Sequence, residues 1–170
     1  MKLKKYRGWV VSILVIVVII GVAVRSTREP EGVVKFSNMG NKHLSALDEK
    51  HEPYNSNPPT SGPHVNNKAP WGVSKEILPK ELQIHNLEDG GVIIQYNPEK
   101  VTPEEITLLE KIVNQKRESI IVAPYYDMEY KIALTAWNRL LPLENVEEKQ
   151  IDVFIGRYAG KDHHVRNPNL

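Results

Sequence analysis

The density of proline between residues 53 and 79 constrains this chain more than any other feature, because half of its twelve prolines fall there. Proline fixes φ and disfavours helix at the residue before it, so this stretch is expected to be extended or turning. A loop this long inside a compact domain is usually functional or disordered. Since it contains Tyr54, His64 and Trp71, we expect it to pack onto the rest of the domain. The six prolines are Pro53, Pro58, Pro59, Pro63, Pro70 and Pro79.

Regular elements are predicted after this irregular segment. Residues 92–96 (VIIQY) follow the Gly90-Gly91 turn signal and have the composition of a strand. A helix is expected from Thr102, because Thr102 and Glu105 have the spacing of a capping box and Pro103 takes the first helical position. Three further strands are predicted, over residues 32–36, 119–123 and 131–137.

A last helix is predicted from an apolar stripe near the end of the chain, at helical spacing. Asn145 is expected to cap this helix, with Glu148 three residues on, and Gly160 to end it. The resulting order, β-α-β-β-α behind an irregular segment, predicts an α+β fold. We expect a two-layer domain with a short β-sheet and two main helices. The stripe consists of Ile151, Phe154, Ile155 and Tyr158.

The N-terminal run of residues 8–24 (GWVVSILVIVVIIGVAV) carries no charge. As a helix it would be about 25 Å long, near the lower limit for crossing a bilayer. Four cations precede it and Arg25 follows, which predicts a single-pass protein of the cell membrane, anchored through residues 8–24. Its N-terminus would be cytoplasmic and residues 25–170 extracytoplasmic. A cleaved signal peptide is the alternative, although residues 22–25 are a poor cleavage site.

The domain plan follows from these elements. We expect a cytoplasmic tail and membrane anchor over residues 1–28, a linker over 29–41, an extracytoplasmic α+β domain over 42–160 and a C-terminal tail over 161–170. A net charge of only +1 argues against a nucleic-acid partner. The absence of cysteine excludes disulfides, thiolate metal sites and iron–sulfur clusters.

Histidine is the residue most able to carry chemistry here. His43, His51, His64 and His85 lie in or beside the irregular segment, and neutral imidazole binds zinc, copper, nickel and iron. Each of them alone also fits a surface or hydrogen-bonded core residue. Met128, if it faced these histidines, would favour Cu(I) through its thioether. The carboxylates that would orient the imidazoles are Glu88 and Asp89.

Three strings of the sequence carry a family resemblance: YNSNPPTSGPH at 54–64, HNLEDGGVIIQY at 85–96 and ALTAW at 133–137. Together they resemble the uncharacterised bacterial family catalogued as domain of unknown function 3105, across roughly residues 35–160. The resemblance implies a domain that follows a membrane anchor or signal, and it implies no reaction.

The resemblance also implies the location of a site. The family pattern includes a histidine upstream of the proline-rich string, which His43 matches best, and the histidine that ends the string, here His64. It also includes an H-N-L-E-H string that begins here at His85. This chain departs from that string, because Asp89 stands where the second histidine is usual.

We therefore expect an anchored metal-binding protein, most plausibly one that handles copper, with zinc as the alternative metal. His43, His64 and His85 would be the central ligands, completed by Met128 or His51. One alternative is a non-enzymatic interaction module at the cell surface, with the proline-rich segment as its partner surface. A second is a metal-dependent hydrolase that uses His85 and Glu88. Whether the protein is an enzyme stays open, with a binding role favoured, and the sequence identifies no protein partner.

Overall fold

A computed structural model describes residues 12, 13, 15 and 16, then 29–116 and 118–164. The chain divides into two compact units, Met1–Glu31 and Gly32–Leu170. The sheets, the three helices and the site described below all belong to the second unit. Its strands are β1 (Val34–Lys35), β2 (His43–Leu44), β3 (His64–Val65), β4 (Gly72–Val73), β5 (Val92–Tyr96), β6 (Ile120–Pro124), β7 (Ile132–Ala136) and β8 (Arg139–Leu143). Its helices are α1 (Lys80–Glu88), α2 (Pro103–Lys116) and α3 (Glu148–Tyr158).

The strands form one mixed six-stranded sheet and one small parallel pair. The large sheet has the order β1-β8-β7-β5-β6-β4, and β2 pairs with β3. In the large sheet β6 runs parallel to both β4 and β5. The remaining neighbours, β5 with β7, β7 with β8 and β8 with β1, are antiparallel.

Helices cover both faces of the large sheet. Alternate residues of β5 point to opposite faces. Val92 and Ile94 pack with the buried side chains of α2 and α3. Ile93, between them, packs on the other face with Ile84 and Leu87 of α1. The second unit therefore has three layers: helices α2 and α3, the sheet, and α1 with the proline-rich segment.

This architecture corrects the predicted fold class. We expected two layers with two main helices, whereas the described residues contain three helices around a six-stranded mixed sheet. Helix α1 was missed because its sequence, KELQIHNLE, has no apolar stripe. Its buried side chains are mostly polar and include Gln83, His85, Asn86 and Glu88.

The prediction of a transmembrane helix over residues 8–24 is also wrong by this structure. No helix among the described residues is long and apolar enough to cross a membrane. A span needs about 20 apolar residues in one helix. Only Ser12, Ile13, Val15 and Ile16 of this run are described, in helical conformation, and the rest of the run lies outside the described residues. The single-pass location in the cell membrane, which depended on that helix, is not supported.

Several local predictions are confirmed. Strand β5 has the predicted bounds, and β6 and β7 lie within one residue of theirs. The capping box forms, since the Thr102 amide donates to Glu105 Oε2 at 2.8 Å and the Glu105 amide donates to Thr102 Oγ1 at 3.3 Å. Asn145 does not cap the last helix, because α3 begins later, with Glu147 at the cap position.

The proline-rich segment is packed, as its aromatic residues predicted. Residues 58–65 are buried. The hydroxyl of Tyr54 donates to the Pro63 carbonyl at 2.7 Å, and the Asn138 amide donates to the Thr60 carbonyl at 3.0 Å. The segment therefore lies against the α1 side of the sheet, and His64 is among its buried residues.

Candidate metal centre

Backbone pairing and helix geometry bring four polar side chains to one place. The parallel pair of β2 and β3 sets His43 directly opposite His64. His85 and Glu88 are three residues apart on α1 and so share one face of the helix. The structure places all four together, and one ligand atom from each lies within 4.8 Å of the others. These residues are called the inner group below.

The Glu88 carboxylate lies at the centre of the inner group. Its Oε2 is 2.9 Å from His64 Nε2 and 3.8 Å from His43 Nε2. The three imidazole rings contact one another, with centroid separations of 4.9 Å for His43 and His64, 5.2 Å for His64 and His85, and 5.5 Å for His43 and His85. Two imidazole nitrogens of the inner group thus face one carboxylate oxygen, and the His85 ring packs against both of their rings.

The protonation of two of the rings follows from their backbone partners. His64 Nδ1 lies 2.8 Å from the Gly62 carbonyl, and His85 Nδ1 lies 3.0 Å from the Val65 carbonyl. A carbonyl oxygen only accepts, so each Nδ1 carries a proton and donates it. Neutral rings of this tautomer have their lone pair on Nε2. Metal-ligating histidines are commonly held in this way by a hydrogen bond on the other nitrogen.

Two members of the inner group are shielded from water, whereas the side chain of His43 is 44% exposed. Glu88 and His64 have no exposed surface. The second carboxylate oxygen, Oε1, accepts a hydrogen bond from Asn41 Nδ2 at 2.8 Å. Burial lowers the pKa of His85, partly offset by the nearby Asp89 carboxylate, so this imidazole is neutral at pH 7. A neutral imidazole is the form that binds a metal ion.

Residues near the C-terminus approach the same place from the other side. The His163 amide donates to the Glu88 carbonyl at 2.8 Å, which holds the segment across the end of α1. His164 Nε2 then lies 3.5 Å from Glu88 Oε2 and 3.6 Å from Asp89 Oδ1. Ligand atoms of His85, Asp89 and His164 all lie within 4.8 Å of one another. These three residues are called the outer group below.

His164 is also oriented through its Nδ1. That nitrogen donates to Asp162 Oδ1 at 2.6 Å, and this hydrogen bond raises the pKa of His164. His164 lies in the predicted C-terminal tail, residues 161–170, and was not among the predicted site residues. The signal in the sequence is the His163-His164 pair beside Asp162, which by itself does not indicate a contact with His85 or Glu88.

The structure brings together five of the seven residues singled out from sequence, and two lie elsewhere. His43, His64, His85, Glu88 and Asp89 belong to the inner or outer group. His51 is 3.4 Å from Glu81 through Nε2 and contacts the Tyr54 ring. Met128 is buried in a separate cluster with Tyr125 and Ala133. Neither lies in the two groups found among the described residues.

The fold and the site define a three-layer α/β domain with a buried histidine–carboxylate cluster against one face of its sheet. The chain belongs to the family described as Protein of unknown function (DUF3105), whose sequence model matches residues 47–169. This confirms the resemblance carried by the three sequence strings. No curated protein and no solved structure matches the chain.

Proposed function

We propose that this protein binds one transition-metal ion through His43, His64, His85 and Glu88. The observation that carries the proposal is the contact between His64 Nε2 and Glu88 Oε2, at 2.9 Å with neither side chain exposed. His64 donates through Nδ1 to the Gly62 carbonyl, so in the neutral ring the lone pair of Nε2 faces a carboxylate oxygen. Two electron-rich atoms at this distance require a cation or a proton between them.

The spacing of the group supports a metal ion. Ligand–metal distances of 2.0–2.1 Å place neighbouring ligands about 2.9 Å apart in a square-planar site and about 3.3 Å apart in a tetrahedral one. The separations of 2.9 Å and 3.8 Å from Glu88 Oε2 to the His64 and His43 nitrogens lie close to this range. Small side-chain adjustments would bring these ligands to one ion.

The ligand set favours copper, with zinc as the alternative. Three imidazoles and one carboxylate suit both Cu(II) and Zn(II), and copper binds such sites more tightly. Met128 packs in a separate cluster with Tyr125 and Ala133, so it does not supply the thioether that would favour Cu(I). We therefore propose Cu(II) as the bound ion.

The cluster favours holding a metal over activating water. A hydrolase built on His85 and Glu88 would need Glu88 as a base next to a metal-bound water. The two oxygens of Glu88 instead face Asn41 and the imidazoles, and its side chain is fully buried. This arrangement suits Glu88 as a direct ligand of the metal ion and not as a base that activates water.

The test is equilibrium metal binding by the full chain. Metal-free protein is titrated with Cu(II) and Zn(II) against a chromophoric chelator, and circular dichroism checks the fold of each variant. We expect one ion per chain, bound at least about tenfold more weakly by Glu88→Gln, since even residues outside the ligand shell cost that much. His51→Ala is the matched control, because it removes an imidazole outside the cluster and should bind like the wild type.

Two results would overturn the proposal. One is wild-type protein that takes up less than stoichiometric Cu(II) and Zn(II). The other is a folded Glu88→Gln variant with unchanged affinity for both ions, which would place any binding elsewhere.

A further inference from the structure

The inner and outer groups share one residue, His85. The inner group contains His43, His64, His85 and Glu88, and the outer group contains His85, Asp89 and His164. His85 Nδ1 donates to the Val65 carbonyl, so only Nε2 is left to bind an ion. One lone pair serves one ion at a time. If the inner group holds His85, the outer group retains only Asp89 and His164.

The centre of the inner group is buried more deeply than the outer group, although His43 at its rim is 44% exposed. His64 and Glu88 of the inner group are fully buried, whereas the side chains of Asp89 and His164 are 19% and 41% exposed. His164 is oriented like an established ligand, with Asp162 on its Nδ1 and its Nε2 toward Glu88 and Asp89. The outer group is therefore a partly exposed position beside the fully buried His64–Glu88 pair.

An ion would move only a short distance between the outer group and the inner group. His164 Nε2 is 3.5 Å from Glu88 Oε2, the central oxygen of the inner group. An ion that exchanges His164 for His64 could stay bound to His85 and Glu88 throughout. Exchange of this kind avoids stripping the ion of all protein ligands at once, which is the slow route out of a buried site.

We infer that the outer group is the port of the metal site: a single Cu(II) ion enters and leaves the inner group through a transient position on His85, Asp89 and His164. This inference rests on the proposed metal-binding function. His43 forms the other rim of the cluster, where its side chain is 44% exposed. Among the described residues, however, it belongs only to the inner group.

Removal of the His164 imidazole should have opposite effects on the rates of ion entry and release if His164 is a transient ligand at the port or if it only covers the site. If residues 162–164 only cover the site, removal of the His164 imidazole should speed both entry and release of the ion. If His164 is instead a permanent ligand, its removal should weaken equilibrium binding. For a port ligand, removal slows entry and release together and leaves the equilibrium constant nearly unchanged.

The experiment compares rates with equilibria in the full chain. Cu(II) uptake, and its release to excess EDTA, are followed by stopped-flow absorption for the wild type, His164→Ala and His43→Ala. For His164→Ala we expect both rates to fall roughly tenfold while Kd changes less than about threefold. His43→Ala is the matched control at the other rim, where we expect a weakened Kd. Asp162→Asn should slow both rates less than His164→Ala does.

The outcomes separate this inference from the function on which it rests. Faster release from His164→Ala, unchanged rates, or a weakened Kd with an unchanged uptake rate would each overturn the port while leaving metal binding intact. Failure of the wild type to bind Cu(II) would instead overturn the proposed function, and the port with it.

Discussion

Glu88 has the most constrained environment of any single residue in the site. Its Oε1 accepts from Asn41, and its Oε2 faces the nitrogen of His64 that carries the lone pair in the neutral ring. Without a metal ion, this second contact requires a proton shared between the two groups. Holding an ionised or proton-sharing pair in a fully buried position costs stability.

Replacement of Glu88 by glutamine should therefore affect stability and metal binding differently. The glutamine oxygen can still accept from Asn41, and its amide can donate to His64 Nε2 with no added proton. We expect the metal-free Glu88→Gln variant to be as stable as the wild type at pH 7, or more stable by about 1 kcal/mol. Urea denaturation in the presence of EDTA measures this difference.

Glu88→Ala is the contrasting control for this prediction. It leaves Asn41 and His64 without their partner and creates a cavity, so it should cost about 2–4 kcal/mol. Equal destabilisation by glutamine and alanine would show that the charge of Glu88, and not only its hydrogen bonds, stabilises the metal-free fold.

The helices and strands differ in how well the sequence predicts them. Helix α2 begins where its capping box predicts, because the signal lies in residues adjacent along the chain. Helix α1 was missed because the side chains it buries are polar and serve the site. Strand β8 was also missed, since Pro142 interrupts its apolar pattern. Pro142 is tolerated because β1, the neighbour of β8 at the edge of the sheet, pairs only with residues 139 and 140. The missing N–H of Pro142 therefore costs no hydrogen bond to β1.

The start of α2 gives a prediction with a defined pH dependence. Glu105 accepts from Lys131 Nζ at 2.6 Å and from the Thr102 amide, and these bonds lower the pKa of its carboxyl, the one from Lys131 most. Because the pKa of Glu105 is lower in the folded state, its ionised carboxylate stabilises the fold fully at pH values above the unfolded-state pKa. This contribution is lost as pH falls through the folded-state pKa. Glu105→Gln should cost about 0.5–1 kcal/mol at neutral pH, since solvent screens this partly exposed pair.

Urea denaturation of the wild type and of Glu105→Gln at a series of pH values measures this predicted loss of stability. The difference in free energy of unfolding should be constant near neutrality and shrink below about pH 4. A double-mutant cycle with Lys131→Met assigns the part that belongs to the ion pair. A difference that persists unchanged at pH 2 would contradict the carboxylate as its source.

At the scale of the whole molecule, the site depends on contacts that no local pattern marks. His43 and His64 meet through two strands of two residues each, too short for periodicity to reveal. His164 reaches the cluster from the far end of the chain. Sequence could nominate His43, His64 and His85 by residue type and resemblance. It could not show that His51, one of the two residues expected to complete the site, has its partners elsewhere.

The distribution of the ligands over the chain yields the last prediction. Residues 43, 64, 85 and 88 come from β2, β3 and α1, so one bound ion would tie the N-terminal strands of this unit to the helix. An ion that binds only the folded state stabilises it by about 2.7 kcal/mol when its free concentration is a hundred times Kd. For a unit of this size we expect Tm to rise by roughly 5–11 °C with Cu(II) and to return to its starting value with EDTA. Glu88→Gln is the control. A rise in that variant equal to the wild type's would mean that the ion stabilises the fold from another site, whereas a rise confined to the wild type assigns the stabilisation to this cluster.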